Sequence, residues 1–167
     1  MTLDDLTQIR AIEQLKYRYL RFLDLKQFDD LENTLTPDAT ASYGGGAYAF
    51  DSRDSILAFL RESMTREEML TSHKVHHPEI EITAQDEAEG TWALEDKIVD
   101  TGFGITITGA AYYHDKYRRI DGIWYISHTG YKRVYEEIQP RPADLSLTAS
   151  WWGTNGRSRI PAGQSDD

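Results

Sequence analysis

The stretch Thr71-Ser72-His73-Lys74-Val75-His76-His77-Pro78-Glu79-Ile80-Glu81-Ile82 marks the point where the hydrophobic period of the chain changes. Before it, apolar residues recur every three or four positions. From Val75 onward they alternate, as in a strand with one buried face. The stretch therefore predicts a strand, and it sets His73 next to the most apolar surroundings in the chain.

Upstream, Leu6, Ile9, Ile12, Leu15, Tyr19 and Phe22 form the apolar face of a long helix, opened by Thr2 as N-cap with Asp4 and Asp5 in the first turn. Residues 27–35 predict a second short helix, stopped at Thr36-Pro37-Asp38 because proline disfavours helical geometry in its predecessor. A short strand over 39–43 follows. The run Gly44-Gly45-Gly46 reads as a turn towards Tyr48-Ala49-Phe50; a phosphate loop would need a Gly-Lys-Ser/Thr ending and a following helix. Asp51 or Ser52 caps a third helix, with Ile56, Leu57, Phe59, Leu60 and Met64 inward.

Downstream, strands are predicted over 75–82, 88–99, 105–120 and 123–135, with Asp121-Gly122 as a strong hairpin signal. Three helices followed by a meander is an α+β pattern, in which helices cover one face of a curved, mainly antiparallel sheet and leave a pocket between. A single domain spans 1–138. The tail, 139–167, carries Pro140, Pro142, Trp151, Trp152 and Pro161. Its aromatics predict that part of it packs over the pocket or a neighbouring subunit, while 164–167 stay loose.

With 167 residues, 40% hydrophobic, the chain can bury one real core. A formal net charge of -10 and a pI near 4.9 argue against nucleic-acid or anionic-membrane partners, which need a basic surface. No apolar run approaches the ~18 residues of a membrane helix, and the acidic start is unlike a signal peptide, so the cytoplasm is expected. The absence of cysteine excludes thiol nucleophiles, disulfides and cysteine-metal sites.

Four segments together resemble the SnoaL-like branch of the nuclear transport factor 2-like superfamily, over about residues 5 to 137. They are Tyr19-Leu20-Arg21-Phe22-Leu23-Asp24, Thr71-Ser72-His73, Thr91-Trp92-Ala93-Leu94-Glu95-Asp96, and Gly122-Ile123-Trp124-Tyr125-Ile126-Ser127-His128-Thr129. The resemblance implies a cone-shaped α+β domain. Within the family the motifs are most similar to bile-acid 7α-dehydratase, scytalone dehydratase and hexachlorocyclohexane dehydrochlorinase. Those enzymes imply a helix Asp paired with a strand His, at Asp24 and His73. The bile-acid enzyme further implies Tyr19 and Asp96. The second His of scytalone dehydratase has no counterpart near Ile98, and the dehydrochlorinase's helix lysine is replaced by Tyr19.

The residues can also be weighed on their own chemistry. His73 can act as a general base, and Asp24, at the edge of the apolar arc, can orient it. On an ideal helix Tyr17 lies within about 20° of Asp24, whereas Tyr19 lies about 140° away. Spacing favours Tyr17 and the resemblance favours Tyr19; a helix crossing a wide cavity could present both. Asp96 alternates with Trp92 and Leu94, which points it inward. Tyr43, Tyr113, Tyr131 and Arg133 are candidate substrate contacts. His77 shares a face with His73 by alternation and His76 does not, so no metal site is expected. His114, Trp124 and His128 are read as structural.

The expected activity is that of a cofactor-independent lyase, a dehydratase acting on a cyclic apolar or aromatic alcohol by His/Asp elimination. Isomerisation, or loss of a carbon fragment such as formaldehyde, would use the same dyad. A non-catalytic small-molecule-binding module is the rival from another class. A homo-oligomer, trimer or dimer, is expected, because the outer sheet face and the tail tryptophans need cover.

Overall fold

A computed structural model of the chain describes residues 2–160. Helix α1 (Leu3–Asp24) opens with a capping box: the Thr2 hydroxyl accepts the Asp5 N–H at 3.1 Å, and the Asp5 carboxylate accepts the Thr2 N–H at 2.6 Å. Then come α2 (Phe28–Glu32), β1 (Leu35–Tyr43), a 3-10 turn (Gly44–Gly46), β2 (Tyr48–Phe50) and α3 (Arg53–Met64). Four long strands follow: β3 (Met69–Ala84), β4 (Glu87–Asp100), β5 (Ile105–Ile120) and β6 (Ile123–Pro140), and then a single helical turn, α4 (Trp151–Thr154). The six strands form one sheet in the order β2-β1-β6-β5-β4-β3, antiparallel except where β1 runs parallel to β6. Helix α1 packs on β3 and β6, and α3 on β1. The fold is α+β, with helices against a curved, open sheet.

Asp121 and Gly122 both have positive φ, 51° and 81°, the backbone that a two-residue hairpin turn requires. Elsewhere the boundaries move for physical reasons. The second helix stops at Glu32, and the following strand already begins at Leu35. Pro37, which cannot donate to a ladder, sits in a register break between the pairs Leu35↔Ile126 and Thr40↔His128. Strand β6 continues to Pro140, so the expected boundary at 138 falls inside a strand. At the parallel pairing of Ser42 with Gly130, a Cβ on Gly130 would come within 2.7 Å of the Ser42 carbonyl, so only glycine fits.

Bulges reset which residues face inward. In β3, His76 pairs with Ala93 but Glu79 with Thr91, and His77 takes a φ of 28°. His76 and His77 are consequently both exposed, and His77 does not share the face of His73 as strict alternation predicts. In β6, Ser127 is the extra residue between Ile126 and His128, and inward positions change from Trp124 and Ile126 to Thr129, Tyr131 and Arg133. His128 faces outward with its partner Lys116, and its Nδ1 lies 2.7 Å from the Thr40 hydroxyl.

The buried stripe of α1 is Ile12, Leu15, Lys16, Tyr19, Leu20 and Leu23, rotated from the expected face; Leu6 is exposed and Phe22 only partly buried. Lys16 is the exception to binary patterning. Its ammonium meets the Asp115 carboxylate at 2.7 Å, with both side chains fully buried. Tyr117 donates to Asp115 Oδ2 at 2.9 Å, and Trp92 Nε1 donates to the Tyr117 hydroxyl at 2.8 Å. The ammonium also lies 3.5 Å from the centroid of the Tyr113 ring. Burial lowers the pKa of Lys16, and Asp115 opposes that shift.

The described part of the tail meets the domain at Arg141, whose N–H donates to the Gly104 carbonyl at 2.8 Å and whose Nη1 donates to the Thr106 hydroxyl at 3.0 Å, and at Lys26, whose ammonium lies 5.3 Å from the centroid of the Trp152 ring. Lys26 has a left-handed φ of 55° and closes α1 with Gln27 N–H bonded to the Phe22 carbonyl at 2.8 Å. Residues 164–167, expected to be loose, lie outside the described residues.

Because a buried charge left alone is costly, Lys16→Met should destabilise the protein by about 3–5 kcal/mol. The double change Lys16→Met with Asp115→Leu should recover most of that loss, as read by urea denaturation.

Candidate active site

Between the helices and the sheet lies a cavity of about 400 Å³, within the range of small-molecule sites. His73, on the inward face of β3, and Asp96, on the inward face of β4, line it, and the two residues pair across the ladder. Asp24, the last residue of α1, reaches β3 with both carboxylate oxygens. Oδ1 accepts from the Thr71 hydroxyl at 2.8 Å and contacts His73 Nδ1 at 2.6 Å, and Oδ2 accepts the His73 backbone N–H at 2.8 Å. In the neutral ring this places the proton on Nδ1 and leaves the Nε2 lone pair as the basic position. Both side chains are largely buried, with 11% and 20% exposure for His73 and Asp24.

Tyr19 and Tyr43 line the same cavity, their hydroxyls 3.2 Å apart. Tyr43 stacks against Phe59 and Tyr131, with ring centroids 6.2 and 5.9 Å away, and Tyr113 meets Tyr131 edge-on at 5.6 Å. Burial drives the phenol pKa values of Tyr19, Tyr43 and Tyr113 upward, so all three remain protonated hydrogen-bond donors across the physiological range.

Tyr17 is not brought to this cavity. It is 39% exposed, lies edge-on to Trp92 at 6.1 Å, and borders a shallower cleft beyond the Asp24–His73 pair. Tyr17 and Asp24 border the same cleft, as the turn of an ideal helix predicts, and His73 lines both the cleft and the cavity, so the two tyrosines face different spaces on either side of the imidazole.

Asp96 is inward and 8% exposed, but both its oxygens are taken by Arg133, at 2.6 Å from Nη1 and 2.8 Å from Nη2. A carboxylate forked on a guanidinium is an acceptor. Asp96, expected to assist a departing hydroxyl, has both oxygens engaged by Arg133. Arg133 Nε contacts Glu136 at 2.9 Å, and its guanidinium lies over the Tyr131 ring at 4.8 Å. Burial works against the charge of Arg133, but Asp96, together with Tyr131 and Glu136, raises the pKa above its ordinary value.

Glu136 and Ser63 also line the cavity and were not singled out in the sequence. Strict alternation puts Glu136 on the face opposite Arg133; it joins that face because Val134 is an extra residue between the pairs Ala111↔Arg133 and Ala110↔Tyr135, which local sequence does not reveal. No group of three or more His, Asp and Glu residues arranged to hold a metal occurs among the described residues.

The SnoaL-like domain matches residues 4–130, and the chain belongs to that family. The fold is shared with a proposed scytalone dehydratase from Novosphingobium aromaticivorans, at 20% identity and a TM-score of 0.75, covering 88% of this chain and 100% of the other. It is also shared with hexachlorocyclohexane dehydrochlorinase LinA-type3 from Novosphingobium barchaimii, at 21% identity and a TM-score of 0.74, covering 89% and 99%. A curated relative, a proposed cyclase of Gibberella zeae (FGR4), is 24% identical over 139 residues, or 76% of this chain and 91% of its own. No helix among the described residues is long and apolar enough to cross a membrane.

Gly109, which pairs with Asp96 across the ladder, makes the fork possible: a Cβ there would lie 2.6 Å from Arg133 Nη1 and 3.0 Å from Asp96 Oδ1. Gly109→Ala should displace the guanidinium and cost about 1–3 kcal/mol by chemical denaturation, as overpacking does.

Proposed function

We propose that this chain is a cofactor-independent lyase that dehydrates a cyclic apolar or aromatic alcohol, with Asp24 and His73 as its catalytic pair. The observation that carries this reading is the carboxylate–imidazole contact at 2.6 Å on the wall of a largely apolar, aromatic-lined cavity. His73 Nε2 takes a proton from a carbon acidified by a neighbouring carbonyl or ring. The carbon–hydrogen electron pair forms the double bond, the carbon–oxygen bond breaks, and the proton leaves with the departing hydroxide as water. Asp24 holds the tautomer and stabilises the imidazolium.

Tyr19 and Tyr43, whose raised pKa values make them poor proton sources, act as hydrogen-bond donors to the oxygen on which negative charge grows. Tyr113, Tyr131 and Arg133 hold the ring and its polar substituent. The same pair returning its proton to a different carbon gives an isomerase. Similarity to a proposed cyclase supports keeping that variant second.

We further propose a homo-oligomer, a trimer or dimer, acting in the cytoplasm. Tyr112, Val134, Tyr135 and Ile138 on β5 and β6, with Trp151 in the tail, leave exposed apolar surface for a second copy to cover. The tail from residue 141 onward would take part in that contact and close the cavity of its own or a neighbouring chain. Light scattering at micromolar concentration should report a particle larger than the 19.1 kDa chain, and deletion from Arg141 onward should weaken association with little change in thermal midpoint. A monomer by light scattering removes the claim.

The dyad is tested by turnover once a substrate is in hand. His73→Ala should lose on the order of 10²-fold or more. Asp24→Asn keeps the size and loses the charge, and should be nearly as damaging. The double variant should be little worse than His73→Ala, because the groups act as a unit. Losses that multiply independently would return His73 to a structural role.

A further inference from the structure

An arginine on the wall of an aromatic cavity ordinarily reads as a receptor for a carboxylate or phosphate, through its planar pair of N–H groups. Arg133 is already committed. Nη1 and Nη2 are forked on Asp96, and Nε faces Glu136 at 2.9 Å. Of the five N–H groups of a guanidinium, these contacts leave two, and they belong to nitrogens already bound to a carboxylate.

The charge balance at this end of the cavity points the same way. Asp96 and Glu136 set two carboxylates against one guanidinium, leaving one negative charge uncompensated. Asp24 adds a further carboxylate behind His73. Lys16 is sealed beneath the Tyr113 ring against Asp115, and no lysine among the described residues lines the space. An incoming anion would meet this negative excess. To gain the Arg133 fork it would have to displace Asp96, which is 8% exposed, and leave that carboxylate buried without its partner.

We propose that the cavity selects electrically neutral ring compounds and rejects anionic ones of the same shape, with the Asp96–Arg133–Glu136 cluster as the discriminating element. Resting on the reading of this cavity as the substrate site, the proposal narrows the substrate to neutral hydroxylated or carbonyl-bearing aromatic and alicyclic molecules. Carboxylated, sulfated or phosphorylated forms are excluded. The aromatic wall of Tyr43, Phe59 and Tyr131 supplies stacking surface, and the two remaining Arg133 N–H groups can serve one neutral oxygen acceptor.

The experiment is a calorimetric comparison of naphthamide and naphthoate, which match in shape and differ in charge at neutral pH. The full chain should bind naphthamide and take up naphthoate at least about tenfold more weakly, since like-charge juxtaposition is strongly penalised. In Glu136→Gln, which removes one charge and keeps a hydrogen-bond acceptor, the ratio of the two affinities should fall. Equal or tighter binding of naphthoate, failure of naphthamide to bind, or an unchanged ratio in Glu136→Gln overturns the proposal. Binding does not require turnover, so a failed dyad would appear only in the kinetics of His73 and Asp24 variants and would leave these affinities as they are.

Discussion

The carboxylate of Asp24 ties the end of α1 to β3 through the Thr71 hydroxyl, the His73 amide and the His73 ring. A negative charge in the last turn of a helix opposes the helix dipole, at a cost of roughly 0.3–1 kcal/mol. Each hydrogen bond to a charged group contributes about 1.5–3 kcal/mol, so the three contacts outweigh that cost. The same bonds place the imidazole at a defined tautomer on the cavity wall. Helix packing and the candidate chemistry thus rest on one side chain, and the local rule it breaks is broken at the site itself.

A second constraint lies deeper. Lys16, Asp115, Tyr117 and Trp92 form a buried polar chain from α1 into the sheet, and it holds the helix in the rotation that puts Tyr19 over the cavity and Tyr17 outside it. The ammonium sits against the Tyr113 ring, which lines the cavity and meets Tyr131 on the cavity wall. Support and site are continuous here: changes at Lys16 reach the aromatic wall through Tyr113, while Gly109 governs the opposite polar end by leaving room for Arg133.

The electrostatics of the site divide by depth. Burial keeps the tyrosines protonated, which suits them to donate hydrogen bonds and unsuits them to release protons. The Asp96–Arg133 fork satisfies a buried carboxylate, and Glu136 leaves the cluster with a net negative charge. The imidazole is the group we propose as base, because the carboxylate beside it is engaged and the carboxylates opposite are bound to the guanidinium.

Much of this was legible in the residues. The change of period after His73, the Asp121-Gly122 turn and the caps at Thr2 and Ser52 identify the elements, because they depend on local backbone preference and alternation. The chemical types of Asp24, His73, Tyr19 and Arg133 narrow the reactions worth considering. Tertiary structure decided what local rules cannot carry. Bulges at His77 and Ser127 reversed the alternation, so His77 left the inner face and odd-numbered residues entered it on β6. The fork that turned Asp96 from a candidate acid into a partner of Arg133 joins two strands that are not neighbours in the sheet. Lys16 acquires its carboxylate partner, Asp115, at full burial only when β5 packs behind the helix. Sequence determined which segments form helices and strands and which functional groups they carry; the paired charges, and the direction each group faces, exist only when distant strands are packed together.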